Sequence, residues 1–416
     1  MTSILNDHIM LRVRTVFIFV VCLFFILPVT AQLRTLETGS EKPMPLEWID
    51  KDTGHKIVRL SRLEGNNASF YFHNNPFLTG QKGGDDKMIF YNTNKNQKQI
   101  FSLDLKTLEA EQITRQHKPM NGEIVAHKKR EVYYQVGDSV YATHVDNKQT
   151  RFIFAFPADF KASITTINAD ETLLAGVWGD PREKDILKQY PEKRDFFTKI
   201  FEAKLPHTLF TVNIQTGELK KIHTESTWLG HVQFSPTQPD LLMFCHEGPW
   251  HLVDRIWHIN VISKDIKKMH TRTVDGEIAG HEFWNPDGKI IWFDLQKPRS
   301  VTFYLAGADV ATGNEKLYQM TRDEWSIHFN VSSDQKKFTG DGGNDTQVAK
   351  AKDGMWIYLF RPEGDHLQSE RLVNMKHHRY NLEPNVHFSP DDDWIIFRAN
   401  FEGESQVYAV KVKKEQ

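Results

Sequence analysis

The chain has 416 residues, of which 25% are charged and 39% hydrophobic, with a formal net charge of −2. That balance excludes a disordered or collagen-like chain and a polybasic nucleic-acid binder, and the length suits one large domain or two modest ones. With 52 Lys and Arg against 54 Asp and Glu there is no long-range field, so an acidic ligand has to be held by a local pocket. At the N-terminus Arg12 and Arg14 precede an apolar run from Val16 to Leu27, and Val29-Thr30-Ala31 supplies the small residues a signal peptidase reads. Residues 1–31 therefore read as a signal peptide. The alternative, an uncleaved anchor, is weakened because the run is shorter than the roughly 20 residues that span a bilayer comfortably. Cys22 lies in this segment and leaves Cys245 alone in the mature chain, which excludes an intramolecular disulfide. A periplasmic protein with no stable membrane association after cleavage is expected.

Beyond Ala31 the sequence reads as short strands. Runs such as Met88-Ile89-Phe90-Tyr91, Val132-Tyr133-Tyr134 and Ile290-Ile291-Trp292-Phe293 alternate with Asp, Asn, Gly and Pro clusters, the pattern of hairpins. A turn followed by an apolar strand begins at Met88, Val132, Leu173, Leu241, Ile290, Phe338 and Trp394, in steps of 44, 41, 68, 49, 48 and 56 by subtraction. Seven units of several strands each point to an all-β, seven-bladed β-propeller over residues 32–416, because such a sheet cannot bury both faces until it is stacked in a ring. A pair of β-sandwiches gives no reason for seven steps. The long step holds a charged, helical stretch at 180–206, read as an insertion. Lys56-Ile57-Val58-Arg59-Leu60 is the candidate outer strand for the last unit, closing the ring and removing its exposed edges.

Four units share a motif before the turn: Phe234-Ser235-Pro236, Trp284-Asn285-Pro286, Val331-Ser332-Ser333 and Phe388-Ser389-Pro390. Three residues before each stand His231, His281, His328 and Asn385. If the strand bearing the motif is innermost, these positions converge on the central channel. Period-two alternation adds Glu383 and His387 on the side of Asn385. Imidazole, carboxylate and amide together suit a borderline divalent ion such as Mn²⁺, with His281, Glu383, Asn385 and His387 as candidate ligands. A second cluster, Cys245-His246-Glu247-Gly248-Pro249 with His251, Asp254 and Arg255, falls between two units. Arg255 either grips a carboxylate bidentately or forms an ion pair with Asp254 or Glu247. His246 and Glu247 are candidate substrate contacts. No Gly-x-Ser-x-Gly elbow and no phosphate loop occur.

Trp228-Leu229-Gly230-His231, Phe244-Cys245-His246-Glu247-Gly248-Pro249 followed by Leu252-Val253-Asp254, and Gly280-His281-Glu282-Phe283-Trp284 with Pro286-Asp287-Gly288 resemble the oligogalacturonate lyase family, and weaker similarity covers most of the mature chain. The resemblance implies a seven-bladed propeller that cleaves short oligogalacturonides by β-elimination with Mn²⁺ and a histidine base. By resemblance His231 is the base and His281 a metal ligand, with His328 lining the channel beside the substrate. The family's last blade supplies two histidines and a glutamine to the metal where this chain has Glu383, Asn385 and Tyr380. A family arginine is replaced near Thr211, leaving Arg255, Arg182 or Arg194 to recognise a carboxylate. The expected function is a secreted, metal-dependent lyase for pectic or related uronate oligosaccharides. The alternative is a noncatalytic propeller that binds a glycan or a protein in the periplasm.

Overall fold

A computed structural model describes residues 33–80 and 85–414. The segment read as a signal peptide lies outside the described residues. Among them no helix is long and apolar enough to cross a membrane.

The second strand of each predicted unit is present where the turn-plus-apolar pattern places it. Lys87–Asn94, Glu131–Val136, Leu173–Gly179, Leu241–His246, Ile290–Gln296, Phe338–Gly340 and Trp394–Ala399 each sit inside an antiparallel sheet. These strands are buried along nearly continuous runs rather than at alternate positions: Leu241 to Cys245 and Ile291 to Gln296 are all buried. The reason is that both faces of each sheet are covered by neighbouring sheets, so polar alternation has no solvent side to face.

The described strands form six hydrogen-bonded sheets. The eight-stranded one consists of two four-stranded meanders, Ile278–Met320 and Phe329–Asn374, joined by a single parallel pair, Gln319 with His366. Lys56–Arg59 pairs antiparallel with Gln406–Lys411 in the register Ile57 to Val410, so the strand near the N-terminus joins the last sheet as expected, but it is not the outer strand: Glu47–Asp50 pairs beyond it and Thr35–Leu36 beyond that.

Apolar clusters join each sheet to the next. Ile89 and Ile100 pack with Val125 and Tyr134, Tyr133 and Ile153 with Leu174 and Phe210, and Leu209 with Leu229 and Phe244. The series continues with Met243 against Phe293 and Ala306, Leu305 against Phe338 and Phe360, and Leu359 against Ile395 and Tyr408. It returns to its start where Ile396 and Ala409 meet Met88 and Phe90. Each buried Leu, Ile or Phe stabilises the stack by about 1.5–3 kcal/mol relative to exposure.

The insertion folds as two helices, Glu183–Gln189 and Lys193–Ala203. The strands that flank it pair directly, Gly179 opposite His207, so it leaves the sheet undisturbed. Its second helix docks through Phe197, edge-on to Trp228 at 4.9 Å. Phe201 lies so close to Gly248 that a Cβ there would fall 2.6 Å from its ring.

Candidate functional site

The first strands of successive sheets carry His231 and His281, and both residues occupy the same unusual backbone conformation. His231 has φ +46° and His281 φ +51°, at points where the pairing slips: from Gly230–Cys245 to Gln233–Met243, and from Gly280–Asp294 to Phe283–Trp292. Asn385, at the equivalent place before the strand His387–Phe388, has φ +52°. A left-handed non-glycine residue costs of order 1–3 kcal/mol and persists where its surroundings hold it, characteristically at sites. The bulge turns these side chains away from simple alternation. It also removes the basis for placing Glu383, Asn385 and His387 on one side, because alternation does not hold through a left-handed residue.

A third element converges on the same place. The strand Asn66–Ala68 and the strand Phe77–Leu78 both pair with Lys87–Asn94, and residues 69–76 between them leave the sheet. The Phe72 N–H donates to Asn385 Oδ1 at 2.9 Å, Asn330 Nδ2 donates to the Phe72 carbonyl at 3.2 Å, and His387 Nε2 lies 3.1 Å from the Asn74 carbonyl. The Phe72 ring packs against His328, Phe283 and His281 at centroid distances of 4.6, 5.8 and 6.4 Å. This segment thus brings Tyr71, Phe72 and His73 to residues of three other sheet units. Sequence reasoning missed it, since an eight-position gap between short strands reads as an ordinary loop.

His281 and His328 face each other edge to face, with centroids 5.0 Å apart. Each is oriented by an aspartate on Nδ1: Asp294 Oδ1 at 2.8 Å from His281, and Asp341 Oδ2 at 2.7 Å from His328. The proton therefore sits on Nδ1, and Nε2 keeps its lone pair. His328 Nε2 is buried without a hydrogen-bond partner, and the Glu383 carboxylate stands 3.7 Å from it. Burial opposes protonation of His281, but the hydrogen bond and charge of Asp294 raise its pKa above the ordinary value.

Two imidazole nitrogens and a carboxylate form a donor set that fits a borderline divalent ion, and the orphaned His328 Nε2 is the observation that favours one. As they stand, no three His, Cys, Asp or Glu side chains among the described residues are arranged to hold a metal ion. Two expected ligands have other contacts. The Asn385 amide accepts from Phe72 and donates to the Glu383 carbonyl, and His387 has its Nε2 on the Asn74 carbonyl, with its Nδ1 buried and without a partner. His328, expected to contact substrate, is the residue that stands with His281 and Glu383.

His231 lies on the other side of a buried charge cluster. Its Nε2 is 3.3 Å from Glu247 Oε1. Arg255, 3% exposed, binds Glu247 through Nη1 at 2.7 Å and Nη2 at 3.1 Å, and binds Glu282 through Nε and Nη2. Burial alone would raise both carboxyls, but Arg255 and His231 hold Glu247 below the ordinary range and Glu282 at about 2. Burial lowers the His231 pKa despite Glu247, so its imidazole is neutral at neutral pH. Arg255 thus realises the ion-pair alternative with Glu247, and its donors are already committed to two carboxylates. Gly230 makes the arrangement possible, because a Cβ there would fall 2.9 Å from Glu247 Cγ and Oε1.

The remaining sequence candidates lie apart from these contacts. His246 stacks on Trp257 at 4.7 Å and binds Glu225 at 2.7 Å. Arg182 is exposed and binds its neighbour Asp180, and Arg194 is exposed beside Asp195. Cys245 is buried, and burial pushes its thiol pKa up, so it is inert filler. Glu282 and Asp294 were missed as roles although their neighbours were singled out. A carboxylate next to a bulged histidine was the available signal for Glu282.

Comparison with known proteins adds four findings. The family model described as oligogalacturonate lyase matches residues 41–415. The oligogalacturonate lyase of Dickeya dadantii (strain 3937) is 25% identical over 378 residues, which cover 87% of this chain and 95% of that protein. A solved structure of oligogalacturonate lyase in complex with manganese superposes with a TM-score of 0.76 at 24% identity, covering 88% of this chain and 96% of the other. The fold likeness extends to the β-propeller domain of Cps50 (Swd1) from Myceliophteria thermophila, with a TM-score of 0.55 at 8% identity over 86% of this chain and all of that one.

Proposed function

Since the chain belongs to the oligogalacturonate lyase family, whose members are carbon–oxygen lyases, we propose that it cleaves short oligogalacturonides or related uronate oligosaccharides by β-elimination, leaving a 4,5-unsaturated product. The succession of apolar clusters that returns to its start supports reading the body as a seven-bladed ring. The N-terminal sequence supports export to the periplasm.

The observation that carries the reading is the pair of aspartate-oriented imidazoles with a buried, partnerless Nε2 on His328. His281, His328 and Glu383 would hold the divalent ion, and the manganese complex of the similar lyase favours Mn²⁺. Bound there, the ion would draw charge from the substrate carboxylate and so acidify the C5 proton. His231 then serves as base. Its Nε2–H faces Glu247, which leaves the Nδ1 lone pair to accept the proton, and burial keeps that lone pair free at neutral pH. Glu247 fixes the ring, and Arg255 keeps Glu247 ionised. Arg255 therefore acts on His231 through Glu247, and substrate carboxylate recognition falls to the ion.

The test is ultraviolet absorbance growth from the unsaturated uronate, using residues 32–416 with di- and trigalacturonate, in Mn²⁺ and in EDTA. Turnover that depends on metal and is abolished in His231→Ala is expected. A flat trace with every divalent ion, together with tight binding of the same sugars, would replace the lyase reading with that of a glycan-binding propeller.

A further inference from the structure

β-Elimination requires a proton for the departing O4 as well as a base for C5, and none of the residues assigned above supplies it. Tyr71 is placed to do so. It lies on the segment 69–76 that leaves its sheet, with its ring edge-on to His328 at 5.1 Å and to His73 at 5.1 Å. Burial, with the charges of Glu383, Glu282 and Asp341 against that of Arg255, pushes its hydroxyl pKa up, so the phenol keeps its proton until an acceptor arrives. Unlike Tyr133, Tyr134, Tyr358 and Tyr380, whose hydroxyls bond Glu131, Thr143, Asp323 and Asp341, the Tyr71 hydroxyl has no hydrogen-bond partner among the described residues. The backbone on both sides is pinned: Arg398 Nη1 donates to the Ser69 carbonyl, and Asn385 and Asn330 grip Phe72. A rigidly presented phenol without a protein partner, beside the residues that would bind the substrate carboxylate, is a donor in search of an acceptor.

We propose that Tyr71 is a further catalytic residue, the proton donor to the glycosidic oxygen that leaves C4. The proposal rests on the lyase reading above. His231 takes the C5 proton, and the electron pair of that bond becomes the second bond between C4 and C5. The C4–O4 bond breaks with its pair on O4, and the Tyr71 hydroxyl proton passes to O4. Water then returns a proton to the phenolate and takes one from His231, so the enzyme is regenerated with no oxidant or reductant. A phenol carries its proton throughout the neutral range and gives it up to a strongly basic alkoxide.

Tyr71→Phe keeps the ring that packs on His328 and removes only the hydroxyl. Two substrates separate the roles: trigalacturonate, whose leaving group is a basic sugar alkoxide, and a galacturonide bearing a 2,4-dinitrophenyl group on O4, whose leaving group needs no proton. With trigalacturonate, kcat should fall about 10²–10⁴-fold, the usual worth of a general acid, with KM little changed. On the dinitrophenyl substrate the loss should shrink to a small factor, and that turnover also shows that the variant is folded and able to bind metal. Equal losses on both substrates, or full activity of the variant on trigalacturonate, would overturn the assignment of Tyr71 while leaving the lyase reading intact. A wild-type protein inactive on both substrates would overturn both.

Discussion

Acid should destabilise this fold well before its carboxylates protonate. His378 and His387 are 4% and 2% exposed, and burial lowers each from the ordinary imidazole value of 6.5 to about 4. Each is fixed by a backbone carbonyl, Leu382 at 2.7 Å from His378 and Asn74 at 3.1 Å from His387. The folded values lie below the unfolded one, so the unfolded chain binds more protons, and stability is fully present above about pH 6.5 and lost as pH falls towards 4. At pH 5 an unfolded imidazole is almost fully protonated and a folded one about a tenth, which converts to ~2 kcal/mol for each residue and ~4 kcal/mol for the pair. That is a large part of a stability of about 5–15 kcal/mol. His73, lowered by burial to about 3, acts in the same direction, whereas His281, raised by Asp294, opposes it. The clean quantity is therefore a difference between variants. Urea unfolding at pH 8 and pH 5 should show a fall in stability for wild type, and a fall smaller by ~2 kcal/mol in His378→Asn or His387→Asn. Carboxylates held low in the fold, such as Glu247 and Glu282, add to the fall in wild type and variants alike, so the difference between them isolates the histidine. An identical fall in wild type and both variants would refute the argument that these rings are buried neutral.

Three further outcomes follow from the site. Arg255→Met removes the cation between two buried carboxylates and should cost about 3–5 kcal/mol in thermal or urea unfolding, the usual penalty for leaving one side of a buried pair uncompensated. Pairing it with Glu282→Leu should return part of that loss. Asp341→Asn keeps one oxygen for the His328 backbone N–H, which Oδ1 now accepts, but loses the second oxygen that meets both His328 Nδ1 and the Asn385 backbone N–H, so it no longer fixes the His328 tautomer; calorimetry should show Mn²⁺ affinity reduced about 10–100-fold. Gly230→Ala places a Cβ against the Glu247 side chain and should lower kcat through displacement of Glu247 from His231, while leaving the circular dichroism spectrum unchanged.

Much of the fold was legible because its strands punctuate themselves. The turn-plus-apolar pattern located strands at Met88, Val132, Leu173, Leu241, Ile290, Phe338 and Trp394, since Asp, Asn, Gly, Pro and Ser turn residues ahead of most of them carry local chemistry that does not wait for tertiary structure. Lys56–Leu60 was readable as a closing strand because an incomplete last unit needs one, and Ile57 opposite Val410 fulfils it. The excursion at 69–76 was not legible. Nothing local distinguishes Tyr71-Phe72-His73 from a surface loop, and its conformation is set by Asn330, Asn385 and His387, each more than 250 positions away in sequence.

The histidine register was legible for a reason other than the one alternation gives. Counting back from the turn found His231, His281 and Asn385 because all three occupy the left-handed position of the same recurring irregularity, and a bulge is inherited by repeat position as strictly as a strand is. The same irregularity made Glu383 and His387 unpredictable from Asn385, since a left-handed residue resets the direction of every side chain near it. It also explains why the ligand set differs from the expected one. The last repeat position carries an amide where the others carry an imidazole, and a buried asparagine with four hydrogen-bonding positions is more readily satisfied by backbone than by an ion. Asn385 accordingly ties Phe72 into the centre. That contact, with Asn330 on the Phe72 carbonyl, holds Tyr71 beside His328, so the asparagine at the last repeat position positions the segment 69–76 instead of offering its oxygen to an ion.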